Sequence, residues 1–152
     1  MQISEVTINY KPLQKTSELT KVISSKDAAD FFRQIWSERM QYIEEFYMLL
    51  LNRSNSIIGY LKLSEGGCSG TVVDAKIVFQ AALKANAQSI IMCHNHPSGN
   101  LKPSSEDISL TKKICEAGKA LDISVLDHVI LTYESYFSFA DEGMMQPVDF
   151  QK

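Results

Sequence analysis

The sequence predicts an α/β protein with a mixed central β-sheet flanked by helices. Three observations carry this. Short apolar runs at residues 45–51, 57–63, 89–93 and 124–131 read as strands, most of them buried. Between them lie stretches whose apolar residues recur at helical spacing. Strands, a hairpin and helices follow one another along the chain, an order that argues for an α/β domain.

The elements follow in order. Residues 2–10 alternate loosely through Ile3, Val6, Ile8 and Tyr10 and predict an edge strand. Residues 11–21 are polar and irregular. Ser24 or Ser25 can cap a first helix, because a short side-chain oxygen satisfies an amide that the helix leaves unpaired. Asp27 falls in its first turn, and Ala28, Phe31, Phe32, Ile35 and Trp36 form its apolar face. Residues 45–51 and 57–63 predict a hairpin around the turn Asn52-Arg53-Ser54-Asn55. Gly66-Gly67-Cys68-Ser69-Gly70-Thr71 reads as a flexible loop.

Asp74 can cap a second helix with Ile77, Val78, Ala81, Ala82 and Ala85 on its apolar face. A strand at 89–93 and a loop at 94–103 follow. A third helix starts at Ser104 or Ser105 and carries Ile108, Leu110, Thr111, Ile114, Cys115 and Leu121. Residues 124–131 and 136–139 complete the strands. The helices before and after the 89–93 strand are expected on the sheet faces.

Bulk properties narrow the function classes. The chain has 152 residues, enough for one domain with a real core, and is 45% hydrophobic and 22% charged. Its net charge is −3 and no Lys/Arg block stands out, so an extended phosphate-binding face is not favoured. Cys68, Cys93 and Cys115 have no framework spacing, which argues against a disulfide scaffold. Cys93 reads as a small buried residue rather than a ligand. No signal-like start and no membrane-length apolar run are visible, so a cytoplasmic location is the default expectation.

The chemistry concentrates in His94-Asn95-His96-Pro97-Ser98-Gly99, followed by Ser104 and Asp107. Side chains two apart in an extended segment point the same way, so His94 and His96 can converge on one ion. The loop doubles back at Pro97, Gly99 and Pro103, which can return Asp107 to the histidines. Two imidazoles and one carboxylate suit a catalytic zinc with a position left for water. The bland alternative is a capping box, in which Ser104 and Asp107 exchange hydrogen bonds at a helix start. The two readings are compatible, since a capped first turn holds Asp107 rigid. Hydrolysis also needs a general base. Glu106 is one helical step, about 100°, away from Asp107 and does not supply it. Glu44, Glu45, Asp127 and Glu134 remain, and spacing does not choose among them.

His94-x-His96, ten residues, then Asp107, with Ser104 three before it, resembles the JAMM (JAB/MPN) metalloprotease motif. The longer string through Pro97-Ser98-Gly99 and Pro103-Ser104 is similar to the RadC subfamily. So are Glu45-Phe46 opening a strand, Gly70-Thr71, Leu126-Asp127-His128 and Ser138-Phe139-Ala140. The resemblance implies a JAMM fold similar to cytidine deaminases. It implies zinc (Zn2+) held by His94, His96 and Asp107, Glu45 as the base on the zinc water, and Ser104 steadying the oxyanion. Asp127 and His128 become candidates for support behind the ligands, His128 foremost. Deaminase activity itself is not favoured, since no Pro-Cys-x-x-Cys follows and the His-x-Glu step is absent.

On this reading residues 1–25 are an unassigned N-terminal extension and 26–152 form a RadC-like JAMM domain, the short form lacking a helix-hairpin-helix region. The expected activity is zinc-dependent cleavage of a peptide or isopeptide bond in a peptide or protein substrate. The exposed hairpin and edge strands can pair with an extended substrate by strand addition. The loops at 66–71 and 95–103 are expected to border the cleft. The alternative is a non-catalytic metal-binding module associated with DNA repair or maintenance, which the charge does not support.

Overall fold

Strands buried on both faces read as unbroken apolar runs, and two such strands form the centre of this fold. They are β1 (Glu45–Leu51) and β3 (Ser89–Asn95), buried at every residue in the computed structural model, which describes residues 2–66 and 72–145. With β2 (Ile57–Glu65), β4 (Ser124–Leu131) and β5 (Tyr136–Ser138) they make one sheet in the order β2-β1-β3-β4-β5. Every neighbouring pair is antiparallel except β3 and β4. A parallel pair needs a long crossover, and α3 (Ser105–Ala120) supplies it.

Side chains alternate across the central strands and build two cores. Phe46, Met48, Leu50, Ile90 and Met92 pack with α2 (Ala75–Lys84) and α3. Tyr47, Leu49, Leu51, Ile91 and Cys93 pack with α1 (Ser25–Ile35) on the opposite face. Each of the three helices starts on a capping side chain: Ser24, Asp74 and Ser104 accept from the amides of Asp27, Lys76 and Asp107. No helix among the described residues is long and apolar enough to cross a membrane.

The mixed α/β sheet is the predicted architecture, with differences in detail. Residues 2–10 form no strand. Ile3, Val6 and Ile8 are exposed, and only Tyr10 reaches the sheet, its hydroxyl donating to the Ile58 carbonyl at 3.0 Å. The start of the β2 edge is already taken by residues 20–22, through Ile57 N–H to Thr20 and Val22 N–H to Asn55. The helices on either side of β3 share one face rather than covering both. Ile77 lies 43% exposed, and Val78, Phe79 and Ala82 are the buried residues of α2. The third strand runs on to Asn95 because β4 pairs with it to the end, His94 with Ile130 and Asn95 with Leu131. Of the predicted 66–71 loop, residues 67–71 lie outside the described residues. The remaining cysteines, Cys93 and Cys115, are free thiols.

Candidate metal centre

β3 delivers His94 from its last turn of pleat, and His96 follows just beyond the strand, its amide bonded to the Leu131 carbonyl. The two rings fall on the same side, with Nε2 atoms 3.0 Å apart. Gly99 then turns the chain. It adopts φ +81°, a left-handed conformation that glycine accepts without strain, and its amide bonds back to the His96 carbonyl. Past the turn, α3 brings Asp107 to the pair. Asp107 Oδ1 lies 3.2 Å from His94 Nε2, and Oδ2 lies 3.4 Å from His96 Nε2. Ligand atoms of the three residues all lie within 4.8 Å of one another.

Capping and clustering share one carboxylate. Ser104 Oγ accepts from the Asp107 amide at 3.1 Å, and Asp107 Oδ2 accepts from the Ser104 amide at 2.8 Å. The reciprocal pair fixes the first turn of α3, leaving Asp107 Oδ1 directed at His94.

The hydrogen bonds behind the cluster set the imidazole tautomers. Thr111 Oγ1 donates to the Asp107 carbonyl at 2.6 Å, so it accepts from His128 Nδ1, also at 2.6 Å. Burial, with His94 beside it, pushes the His128 ring well below its ordinary pKa, so it is neutral and its Nε2 is an acceptor. That acceptor lies 2.8 Å from His94 Nδ1, which therefore donates. His96 Nδ1 likewise donates to the Asn100 carbonyl at 2.6 Å. With their Nδ1 protons engaged, both rings turn Nε2 toward the Asp107 carboxylate. With both rings neutral, the two lone pairs and the carboxylate repel one another, and a cation at their centre, a shared proton or a metal ion, relieves the repulsion. Two nitrogens and one oxygen fit zinc.

The charges respond accordingly. Burial works against the Asp107 carboxylate, but hydrogen bonds from His94 and His96 outweigh it and hold the group far below the carboxylate range. Burial lowers His96, yet Asp107, the Asn100 carbonyl and the charge of Glu44 carry it above its ordinary value. Aromatic rings wall the interior side. Phe46 stacks on His94 at 5.4 Å between centroids, and Phe139 stacks on His128 at 4.8 Å.

The other predicted site residues lie as follows. Glu45 is fully buried on the α1 face, held by Ser37, Lys62 and Arg39, the last at 2.9 Å. Lys62 also lies over the Tyr47 ring, which packs on that same side. The structure thus does not bring Glu45 to the cluster. Extending the alternation one residue back from Glu45 puts Glu44 on the face of Phe46 and His94. Asp127 is not in the cluster either. It accepts from the amides of His128 and Ala140 and from the Ser138 hydroxyl, joining β4 to the end of β5. His128 stands behind His94 rather than behind a ligand carboxylate.

Thr111 reads from the sequence only as a residue of the third helix, yet it stands one turn after Asp107, where a threonine hydroxyl bonds back to the carbonyl four residues before it. Phe46 and Phe139 carried only an apolar signal.

A family described as the RadC-like JAB domain matches residues 22–144. A UPF0758 protein of Flavobacterium johnsoniae is 48% identical over 127 residues, 84% of this chain and 55% of that protein. One of Staphylococcus carnosus is 39% identical over 81% of this chain and 54% of its own length, and one of Porphyromonas gingivalis is 44% identical over 67% and 45%. The chain spans about half the length of the curated relatives it matches.

Proposed function

This chain belongs to the RadC-like JAB domain family, and from that premise we propose that it is a zinc-dependent hydrolase of peptide or isopeptide bonds, with Glu44 as its general base. The observation that carries the reading is the convergence of two Nε2 lone pairs and the Asp107 carboxylate. His94, His96 and Asp107 would hold the metal. Bound there, zinc acidifies water and polarises a carbonyl.

The chain's own residues supply the rest. Glu44 takes a proton from the attacking water on a carboxylate oxygen and passes it to the leaving amine, a role worth typically about 10²–10⁴-fold in rate. Its strand parity supports this assignment over Glu45, whose carboxylate is occupied by Ser37, Arg39 and Lys62 on the other face. The Ser104 hydroxyl sits at the exposed start of α3, its oxygen accepting from the Asp107 amide, and its proton is the one we assign to the developing oxyanion. His128 and Thr111 keep His94 in the tautomer that presents Nε2.

The test combines metal analysis with turnover of a panel of quenched fluorescent peptides and isopeptides. Stoichiometric zinc, its loss in Asp107→Ala and zinc-dependent cleavage are expected. Purified protein that takes up no zinc overturns the metal reading. Zinc binding with no cleavage, together with salt-dependent DNA affinity, favours the non-catalytic module instead.

A further inference from the structure

His94 and His96 face the cluster, so the residue between them must face the other way. Asn95 is fully buried there, and its amide group makes three hydrogen bonds to backbone. Oδ1 accepts from the Glu45 amide at 2.7 Å. Nδ2 donates to the carbonyls of Met40 and Ile43, at 2.7 and 2.8 Å. All three partners lie in the segment that leads into β1 and contains Glu44.

We propose that Asn95 is a positioning residue for the general base: it clamps residues 40–45 onto β3 and so holds Glu44 on the face where the histidines converge. This deepens the hydrolase reading and rests on it. An amide suits the place because the clamp needs an acceptor and two donors on one short planar group, and Asn has both donors on a single nitrogen. Ser, Asp and Ala each lose at least one of the three bonds. The ion pairs of Glu45 with Arg39 and Lys62 hold the same segment from the same face. With the Glu45 side chain fixed there, alternation sends its neighbour Glu44 to the opposite side. The His-Asn-His triplet therefore has two outputs: its outer members present ligand atoms, and its middle member fixes the segment that brings the base.

The experiment uses cobalt as the bound metal and protein labelled with ¹³C at glutamate carboxyl carbons. Paramagnetic cobalt shifts carbons close to it, and the resonance that disappears in Glu44→Gln is that of Glu44. In Asn95→Ala, and in the milder Asn95→Ser, the cobalt stoichiometry is expected to persist while the Glu44 resonance moves back toward its diamagnetic position. In the metal-free protein, the Glu45 amide should exchange roughly tenfold faster, the factor that follows from losing one buried hydrogen bond, with Ile91 and Met92 unchanged. Cobalt-loaded Asn95 variants that keep the wild-type Glu44 shift overturn the proposal, even if exchange rises, because Asn95 is then structural only. Wild-type protein that binds cobalt without any shift of Glu44 overturns it as well. Wild-type protein that binds no cobalt overturns the hydrolase reading, and this inference falls with it.

Discussion

Glu44 and Glu45 are adjacent in the chain, and strand alternation assigns them to opposite sides of the sheet, so their substitutions should separate cleanly. Glu45→Gln removes a buried charge from between Arg39 and Lys62 and leaves an amide against Ser37. It should cost about 1 kcal/mol of stability in urea denaturation, because a buried hydrogen-bonded carboxylate is lost while Arg39 and Lys62, partly exposed, are rehydrated. Zinc stoichiometry should be retained. Glu44→Gln should keep zinc and lower kcat by about 10²-fold or more. His128 acts through His94, and His128→Phe removes the acceptor of the His94 Nδ1 proton. Zinc affinity in a chelator competition should fall about 10- to 100-fold, the usual loss when a ligand's supporting partner is removed. Parity explains why the choice of glutamate was not legible from spacing. Glu45-Phe46 resembled the family's strand opening, but which of two neighbouring carboxylates shares a face with the histidines depends on what anchors the other. Those anchors, Ser37, Arg39 and Lys62, come from different parts of the chain.

At the scale of elements, α3 is held at both ends. Its first turn carries Asp107 and, one turn later, Thr111. Its last turn passes so close to the chain entering β4 that a Cβ on Gly118 would lie 2.4 Å from the Ile123 carbonyl oxygen. That contact is with backbone, which cannot rotate aside. Gly118→Ala should therefore displace the helix and cost about 1–3 kcal/mol, measured by denaturation. Because the same helix presents Asp107, zinc affinity should drop as well. The helix starts were legible because capping is local chemistry: Ser24, Asp74 and Ser104 each sit where their side chains meet an unpaired amide. Facing was less legible. Both Ile77 and Val78 are apolar, and only the packing of α2 beside α3 decides that Val78 turns inward. The 2–10 segment alternates as a strand does, but its place beside β2 is partly filled by residues 20–22.

Over the whole molecule, the His94–His96–Asp107 cluster was readable because it is local, contained in one strand end, one turn and one helix start. Its surroundings were not, since Phe46, His128 and Phe139 arrive from three different strands or strand ends and meet only when the sheet forms. The charge pattern also has a global consequence. Arg39 and Lys62 hold the Glu65 carboxylate down at about 2, against an ordinary value of 4.5. A depressed folded-state value means that the stabilisation is present above pH 4.5 and is lost as the pH falls toward 2. Urea midpoints should therefore decline across that window. Glu65 and its partners are partly exposed, so added salt should weaken its contribution. In Glu65→Gln the decline should be shallower.

Cys93 gives the molecule a built-in clock. Its thiol lies fully buried beneath α1, one residue before His94, and burial with Asp127 nearby pushes its ionisation well above the ordinary range. A maleimide reaches it only when β3 opens, so the labelling half-life measures the opening equilibrium of the strand that bears the first histidine. With Cys68 and Cys115 replaced by serine, added zinc should lengthen that half-life in proportion to one plus the ratio of free metal to its dissociation constant. A cysteine outside the cluster can thus weigh whatever ion binds beside it.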